Sequence, residues 1–295
     1  MPDPEMRLQV ATRFTPILAA AIVLAVSTSG CGSSAATLDP VAEAAAVTSQ
    51  VGGAHLALTV QGSAAGLSAP FTISGQGFFN YKTREGTLSL DMTGLPAAAA
   101  ASLPSGSLHI EETFKSSNIY IGSPLFASTL PGGAYWMKLD LSRFGQALGL
   151  DPQQLAGGQS NPAQFLEYLK ASGGDVTPVG HELVRGAETT HYSGKVDLHK
   201  AADTLPSANR AQLRAGLDKV IAKTGTSSVP VDVWVDAHQL VRRMTMVLSL
   251  SGGTQTRMTL ELFEFGPTPT VTRPPENEVY DATQTALNGL RASGG

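Results

Sequence analysis

Polar and apolar residues alternate without a break along Thr87-Leu88-Ser89-Leu90-Asp91-Met92-Thr93, which predicts a β-strand with Leu88, Leu90 and Met92 on one face. The same period recurs at Tyr135, Met137 and Leu139, at Met244, Met246, Leu248 and Leu250, and at Met258, Leu260 and Leu262. Each strand has one oily and one wet face, the pattern of an antiparallel sheet covered on one side only. Helical spacing interrupts this pattern. Asp39-Pro40 joins a cap to a first-turn proline and predicts a helix from Val41 to about Ser49. Ser142 is placed to cap a short helix carrying Phe144 and Leu148, and Asn161-Pro162 opens another with Phe165, Leu166, Tyr168 and Leu169 at helical spacing. After Pro206, Ser207 caps a longer one whose stripe is Leu213, Leu217, Val220 and Ile221. Amphipathic helices must bury their stripes, so the expected fold class is α+β: a large antiparallel sheet whose apolar face the helices close.

The N-terminus follows a different pattern. Ile17 to Val26 is an apolar run of ten residues, preceded by Arg7 and Arg13 and followed by Ser27-Thr28-Ser29-Gly30 before Cys31. Such a run is too short for a bilayer core, which needs about 20 residues, and suits the central region of a secretory signal peptide. Asp3 and Glu5 fit the start of a signal peptide poorly, whereas translation from Met6 would give a clean basic start. Thr28-Ser29-Gly30-Cys31 resembles a bacterial lipobox, in which the Cys is acylated and becomes the first mature residue, although that pattern usually has Leu where Thr28 stands. The expected organisation is a signal peptide over 1–30, acylated Cys31 and a tether over 31–38, a domain over 39–267, and a Pro/Thr-rich tail with room for a short helix over 268–295. The bland alternative is an ordinary signal peptide with an incidental Cys.

Composition narrows the function. The 295 residues are 42% hydrophobic and 15% charged, with a formal net charge of −4, which offers no basic field for nucleic acid. One Cys excludes an internal disulfide and a Cys-based zinc site. There is no G-x-S-x-G elbow and no Walker sequence, and Gly75-Gln76-Gly77 lacks the rest of a dinucleotide site and reads as a strand irregularity. Glu111 and Glu112 are adjacent on a strand, so they point to opposite faces and cannot act as a catalytic pair. His191, Asp197, His199 and Asp203 could hold a cation if a strand and a helix end converged, or could be solvated residues at a corner. No cofactor, no metal and no enzyme activity is expected. A hydrolase would be revived by activity lost on mutating His181, His191 or His199. Trp136 and Trp234 alternate onto the polar faces, either covered or exposed as contact points.

Met92, Met137, Met244, Met246 and Met258 all fall on apolar strand faces, and Met suits surfaces that accept variable apolar partners. A solid core would use Met too. Three stretches look like the actinobacterial LppX/LprG type of lipoprotein: Gly180-His-Glu-Leu-Val-Arg-Gly186, Thr190-His-Tyr-Ser-Gly-Lys-Val-Asp197, and Pro230-Val-Asp-Val-Trp-Val-Asp236 with Leu240-Val-Arg-Arg243. The resemblance covers residues 51–267. It implies a curved, half-open barrel similar to LolA and LolB, with helices packed on its concave apolar face, and a ligand that is a multi-acylated lipid or lipoglycan moved across the envelope. It implies no catalytic residue. The expected cavity lining is Leu88, Leu90, Met92, Tyr135, Met137, Leu139, Phe165, Leu169, Met244, Met246, Leu248, Met258 and Leu260. The expected partners are that lipid ligand, the membrane through Cys31, and an envelope transport partner. The rival is a scaffold or sensor lipoprotein that holds a protein partner instead of a lipid.

Overall fold

A computed structural model of the chain describes residues 40–63, 70–101, 103, 105–148, 176–197, 214, 218, 221–222, 225–250 and 254–293. The signal segment, Cys31, the tether, and the predicted helix with Phe165 and Leu169 lie outside the described residues. Of the helix expected after Ser207, Arg214, Asp218, Ile221 and Ala222 are described, and they are helical. Among the described residues no helix is long and apolar enough to cross a membrane.

Among the described residues, twelve strands form one sheet. In chain order they are β1 (Gly53–Gly62), β2 (Phe71–Asn80), β3 (Glu85–Thr93), β4 (Leu108–Lys115), β5 (Asn118–Gly122), β6 (Trp136–Asp140), β7 (Thr177–Val184), β8 (Ala187–Asp197), β9 (Ser228–Asp236), β10 (Val241–Leu250), β11 (Thr254–Phe263) and β12 (Val279–Asp281). Their order across the sheet is β12-β6-β5-β4-β3-β2-β1-β11-β10-β9-β8-β7, so β12 and β7 are free edges and the sheet does not close. The described helices include α1 (Pro40–Gln50), α2 (Ala97–Ala100), α3 (Leu141–Leu148) and α4 (Thr283–Ser293), with short 3-10 turns at Phe126–Ser128, Pro131–Gly133 and Glu276–Glu278.

The all-antiparallel expectation needs one correction, because β12 runs parallel to β6 and the sheet is mixed at that edge. The segment read as a tail is therefore part of the domain. Lys138 Nζ lies 2.8 Å from an Asp281 carboxylate oxygen, the Asp281 carboxylate accepts from the Thr283 N–H at the start of α4, and Thr283 itself is fully buried. A second correction concerns α3. Its cap is Asp140, whose side chain accepts from the N–H groups of Ser142 and Arg143, so the helix begins one residue before the expected serine.

Register carries one apolar face across most of the sheet. Directly opposed residues share a face, and the pairs run Met246–Met258, Val60–Met258, Val60–Ile73 and Ile73–Met92, then Leu90–Ile110, Phe114–Ile119 and Ile119–Leu139. The sheet bends toward this face at the β2–β3 seam. A Cβ on Gly75 would collide with the Ser89 carbonyl oxygen, and one on Gly77 with that of Thr87. Gly86 on β3 leans back toward the Phe78 carbonyl in the same way. Side-chain directions on two strands converge only on the inside of a fold, so the apolar face is the concave one. Gly75-Gln76-Gly77 is thus a bend that only glycine permits.

Candidate functional site

Two separate cores lie on the concave face. In the first, Val231, Val233 and Val235 of β9, Met244 and Met246 of β10, and Leu262 of β11 pack against Val41, Ala44 and Ala45 of α1. Alanine on the helix side lets α1 sit close to the valine-rich strands, and all three helix residues are fully buried. Thr48 fixes the helix in register: its hydroxyl donates to the Ala44 carbonyl and accepts from the Val241 N–H at 2.9 Å. Ile221 packs on the edge of this cluster, as its predicted stripe requires. The second core joins Ile119 and Ile121 of β5 to Leu141 of α3, with Met137, Leu139 and Phe144 against them.

Between the cores lies a seam that belongs to neither. Leu58 and Val60 of β1, Ile73 of β2, and Leu88 and Met92 of β3 share the concave face, are half-buried, and enter neither cluster. The bend at Gly75 and Gly77 runs through the middle of this seam. Among the described residues it is an apolar strip three strands wide, half-buried and flanked by two closed cores.

The expected lining residues sort themselves against this geometry. Leu88, Leu90, Met92, Met137, Leu139, Met244, Met246, Leu248, Met258 and Leu260 all lie on the concave face by register. Leu88 and Met92 lie in the seam, with Leu90 beside them buried to 8% exposure. Met244 and Met246, at 4% and 8% exposure, are solid core under α1, with Leu248, Met258 and Leu260 at its margin. Met137 and Leu139 border the second core. Tyr135 leaves the set. It precedes β6, and its hydroxyl donates to Glu111 Oε2 at 3.1 Å on the opposite, polar face. Burial and the nearby Glu111 carboxylate both push its phenol up.

Sequence reasoning named Glu112 only as the neighbour of Glu111 and missed its place on the apolar face. It stands opposite Leu88 on one side and Ile121 on the other, so its carboxyl lies on the concave face at the border of the seam. Burial pushes that carboxyl up to about 7. The signal was available in β4, where Leu108, Ile110, Glu112 and Phe114 share a parity. Tyr81, also missed, packs against the first core with its hydroxyl buried and unpartnered, and burial pushes its phenol up.

The polar face is chemically unlike the concave one. A cavity of about 560 Å³ there is lined by Thr59, Ser74, Gln76, Asp91, Arg185 and Glu261 among others. Glu261 takes hydrogen bonds from Arg185 (2.7 Å) and Arg243 (2.7 Å). Partial burial works against its charge, but the two guanidiniums outweigh this and hold the carboxyl below its ordinary range. Such a lining suits polar groups and cannot desolvate an acyl chain without orphaning charges. Trp234 is covered here, stacked on His191 at 4.2 Å and 8% exposed, while Trp136 is half-buried against Tyr135. His191 bridges Asp232 (3.0 Å) and Glu182 (3.2 Å). The Asp197 side chain, His199 and Asp203 lie outside the described residues, and no metal-binding cluster occurs among those described.

Among the described residues, an open sheet carries helices against the two ends of its apolar face, the arrangement of a half-barrel, and comparison with known proteins gives that class a family likeness. The chain is 29% identical over 241 residues to the lipoarabinomannan carrier protein LprG of Mycobacterium tuberculosis and of Mycobacterium bovis, spanning 80% of each protein. The LppX/LprG-type resemblance carried by the three motifs thus extends over most of the chain. It is also 33% identical over 166 residues to an uncharacterized Streptomyces griseus protein, a match spanning 54% of this chain and about half (52%) of that one. Among solved structures, LprF of Mycobacterium bovis aligns over 80% of this chain and 95% of its own (TM-score 0.45, 13% identity), and Mycobacterium tuberculosis lipoprotein LppX over 80% and 100% (TM-score 0.43, 16% identity). No protein-family model matches the chain.

Proposed function

We propose that this chain is an exported, cell-envelope lipoprotein, anchored through acylated Cys31, that takes the acyl chains of a lipid or glycolipid into the seam over β1–β3 and carries or presents it. The observation that carries this reading is the half-buried apolar seam between two closed cores. Burying each CH₂ is worth about 0.8 kcal/mol, so a chain of about 16 carbons is held in a membrane by roughly 12 kcal/mol and leaves it only for a surface of similar apolarity. A concave, methionine-bearing face offers one, and tethering it to the membrane removes the search. The carrier name of the LprG relatives supports the same reading and names no enzyme activity.

The test is mass spectrometry of lipids that copurify with the protein from its native envelope. Acylated lipid in stoichiometric amount is the expected result. A lipid-free preparation that also takes up no labelled lipid overturns the reading. A Cys31→Ala chain should keep the lipid and leave the membrane fraction.

A further inference from the structure

The concave face carries a single charge on its central strands. Across β1 to β6 and β11, Glu112 is the one charged side chain that register places on it. Its neighbours on that face are Leu88 and Leu90 of β3, Ile110 and Phe114 of β4, and Ile119 and Ile121 of β5. Beyond them, β6 presents Met137 and Leu139, and α3 packs Leu141 and Phe144 over the same end. None of these can titrate. Among the described residues, the charged groups on the neighbouring elements are committed elsewhere: Asp140 caps α3, Arg143 is exposed and bonded to Gln284, Lys115 pairs with Glu85, and Lys138 with Asp281. Among the described residues Glu112 has no hydrogen bond and no ion pair, and burial is the sole cause that lifts its carboxyl to about 7.

A carboxyl in such surroundings is about half protonated at neutral pH and neutral below it, and in that form has an O–H to donate and a carbonyl oxygen to accept. The carboxyl is half-buried at the border of the seam, within reach of a ligand, and an acyl chain that displaces water from it must supply a partner in exchange. We propose that Glu112 is the polar anchor of the seam: it donates a hydrogen bond to an ester carbonyl of the bound lipid, and it makes the seam select this uncharged linkage over a free carboxylate or phosphate. This inference rests on the lipid-carrier reading. It adds the class of linkage that the site recognises. An anionic group beside Glu112 would meet either a second negative charge or a surface with no cation to pair it. An ester meets a matched donor with apolar walls for the chains on either side.

The experiment compares two pyrene-labelled probes of equal chain length, a diacylglycerol and its dialkyl ether counterpart, which has no carbonyl. Binding to the purified protein is followed by fluorescence at about pH 5.5 and about pH 8.5, on either side of the carboxyl's value. The wild-type chain should prefer the ester by about tenfold at the lower pH and lose that preference at the higher. Glu112→Gln, whose amide still donates, should keep the preference at both pH values. Glu112→Leu should bind both probes with no preference at either. A wild-type preference that is absent or unchanged by pH, or one that survives in Glu112→Leu, overturns the proposal while leaving lipid binding intact. If no chain binds either probe, the carrier reading fails and takes this inference with it. Should a variant fail to fold by circular dichroism, the wild-type ester-to-ether comparison decides by itself.

Discussion

The α1-covered half of the concave face and the seam beside it use the same kinds of residue for opposite ends. Under α1, Val41, Ala44, Val231 and Val233 have at most 1% exposure, and Thr48 ties the helix to β10 by bonding the Ala44 carbonyl and the Val241 N–H. In the seam, Leu58, Val60, Ile73, Leu88 and Met92 are equally apolar and only half-buried. The difference is one of closure. A helix rich in alanine can press on β9 and β10 because both sides are smooth, whereas at Gly75 and Gly77 β2 crowds the β3 backbone and, among the described residues, no helix packs on the seam. Apolarity alone therefore does not make a core; it takes a partner at van der Waals distance.

The sharpest way to break this comparison is a charge in the closed half. Val233→Asp places an unpaired carboxylate in a fully buried position and should abolish cooperative unfolding, a loss above about 4 kcal/mol. Leu88→Asp in the seam should cost less than half as much and should instead remove uptake of a labelled lipid. Urea denaturation and a lipid-binding assay on the pair would check both. Equal losses of stability would mean that the seam is as closed as the core.

The bend comes next. Gly77→Val adds atoms where the Thr87 backbone already stands and should cost about 3 kcal/mol, because a strand carbonyl cannot move aside without breaking the ladder. Gly180→Val on edge strand β7, where a Cβ meets nothing within 4 Å, should change stability by less than about 0.5 kcal/mol. Thermal unfolding of both variants measures the contrast, and comparable shifts would show that the β2–β3 seam is not sharply folded.

How much of this was legible in the sequence depended on period. Strands β3, β6, β10 and β11 announce themselves because a half-buried strand must alternate, and the same alternation places their methionines on one face. The helix over Pro40–Gln50 was legible from its first-turn proline. Strand β12 was not, since three residues cannot show a period and the prolines before it read as a tail. Tyr135 was misplaced because alternation holds only inside the ladder, and it sits one residue outside. Sequence also could not divide the apolar face. Met244 and Met92 look identical in pattern, and only the position of α1 makes one core and leaves the other beside the bend. Glu112 was noticed for its neighbour Glu111 rather than for its parity, which hid the one charged position on the oily face of the central strands.

That position yields the smallest predicted effect and the one with a definite sign. The Glu112 carboxyl is raised in the folded state from an ordinary value of 4.5 to about 7, so the folded chain holds this proton longer than the unfolded chain does. Its contribution to stability is fully present below the ordinary value, falls as pH rises through about 7, and stays lost above that. Glu112→Leu removes the penalty. At about pH 8 the variant should be more stable than the wild type by on the order of 2 kcal/mol, and near pH 4 that gain should have largely vanished. Urea midpoints measured across this range test the difference, and parallel curves for the two chains would show that the carboxyl is solvated rather than held on the concave face. A gain at neutral pH would also separate the two halves of that face in kind. Under α1 each substitution is expected to lower stability, while at the seam border the wild-type residue already holds it below what leucine would give, as expected where a ligand supplies the missing partner.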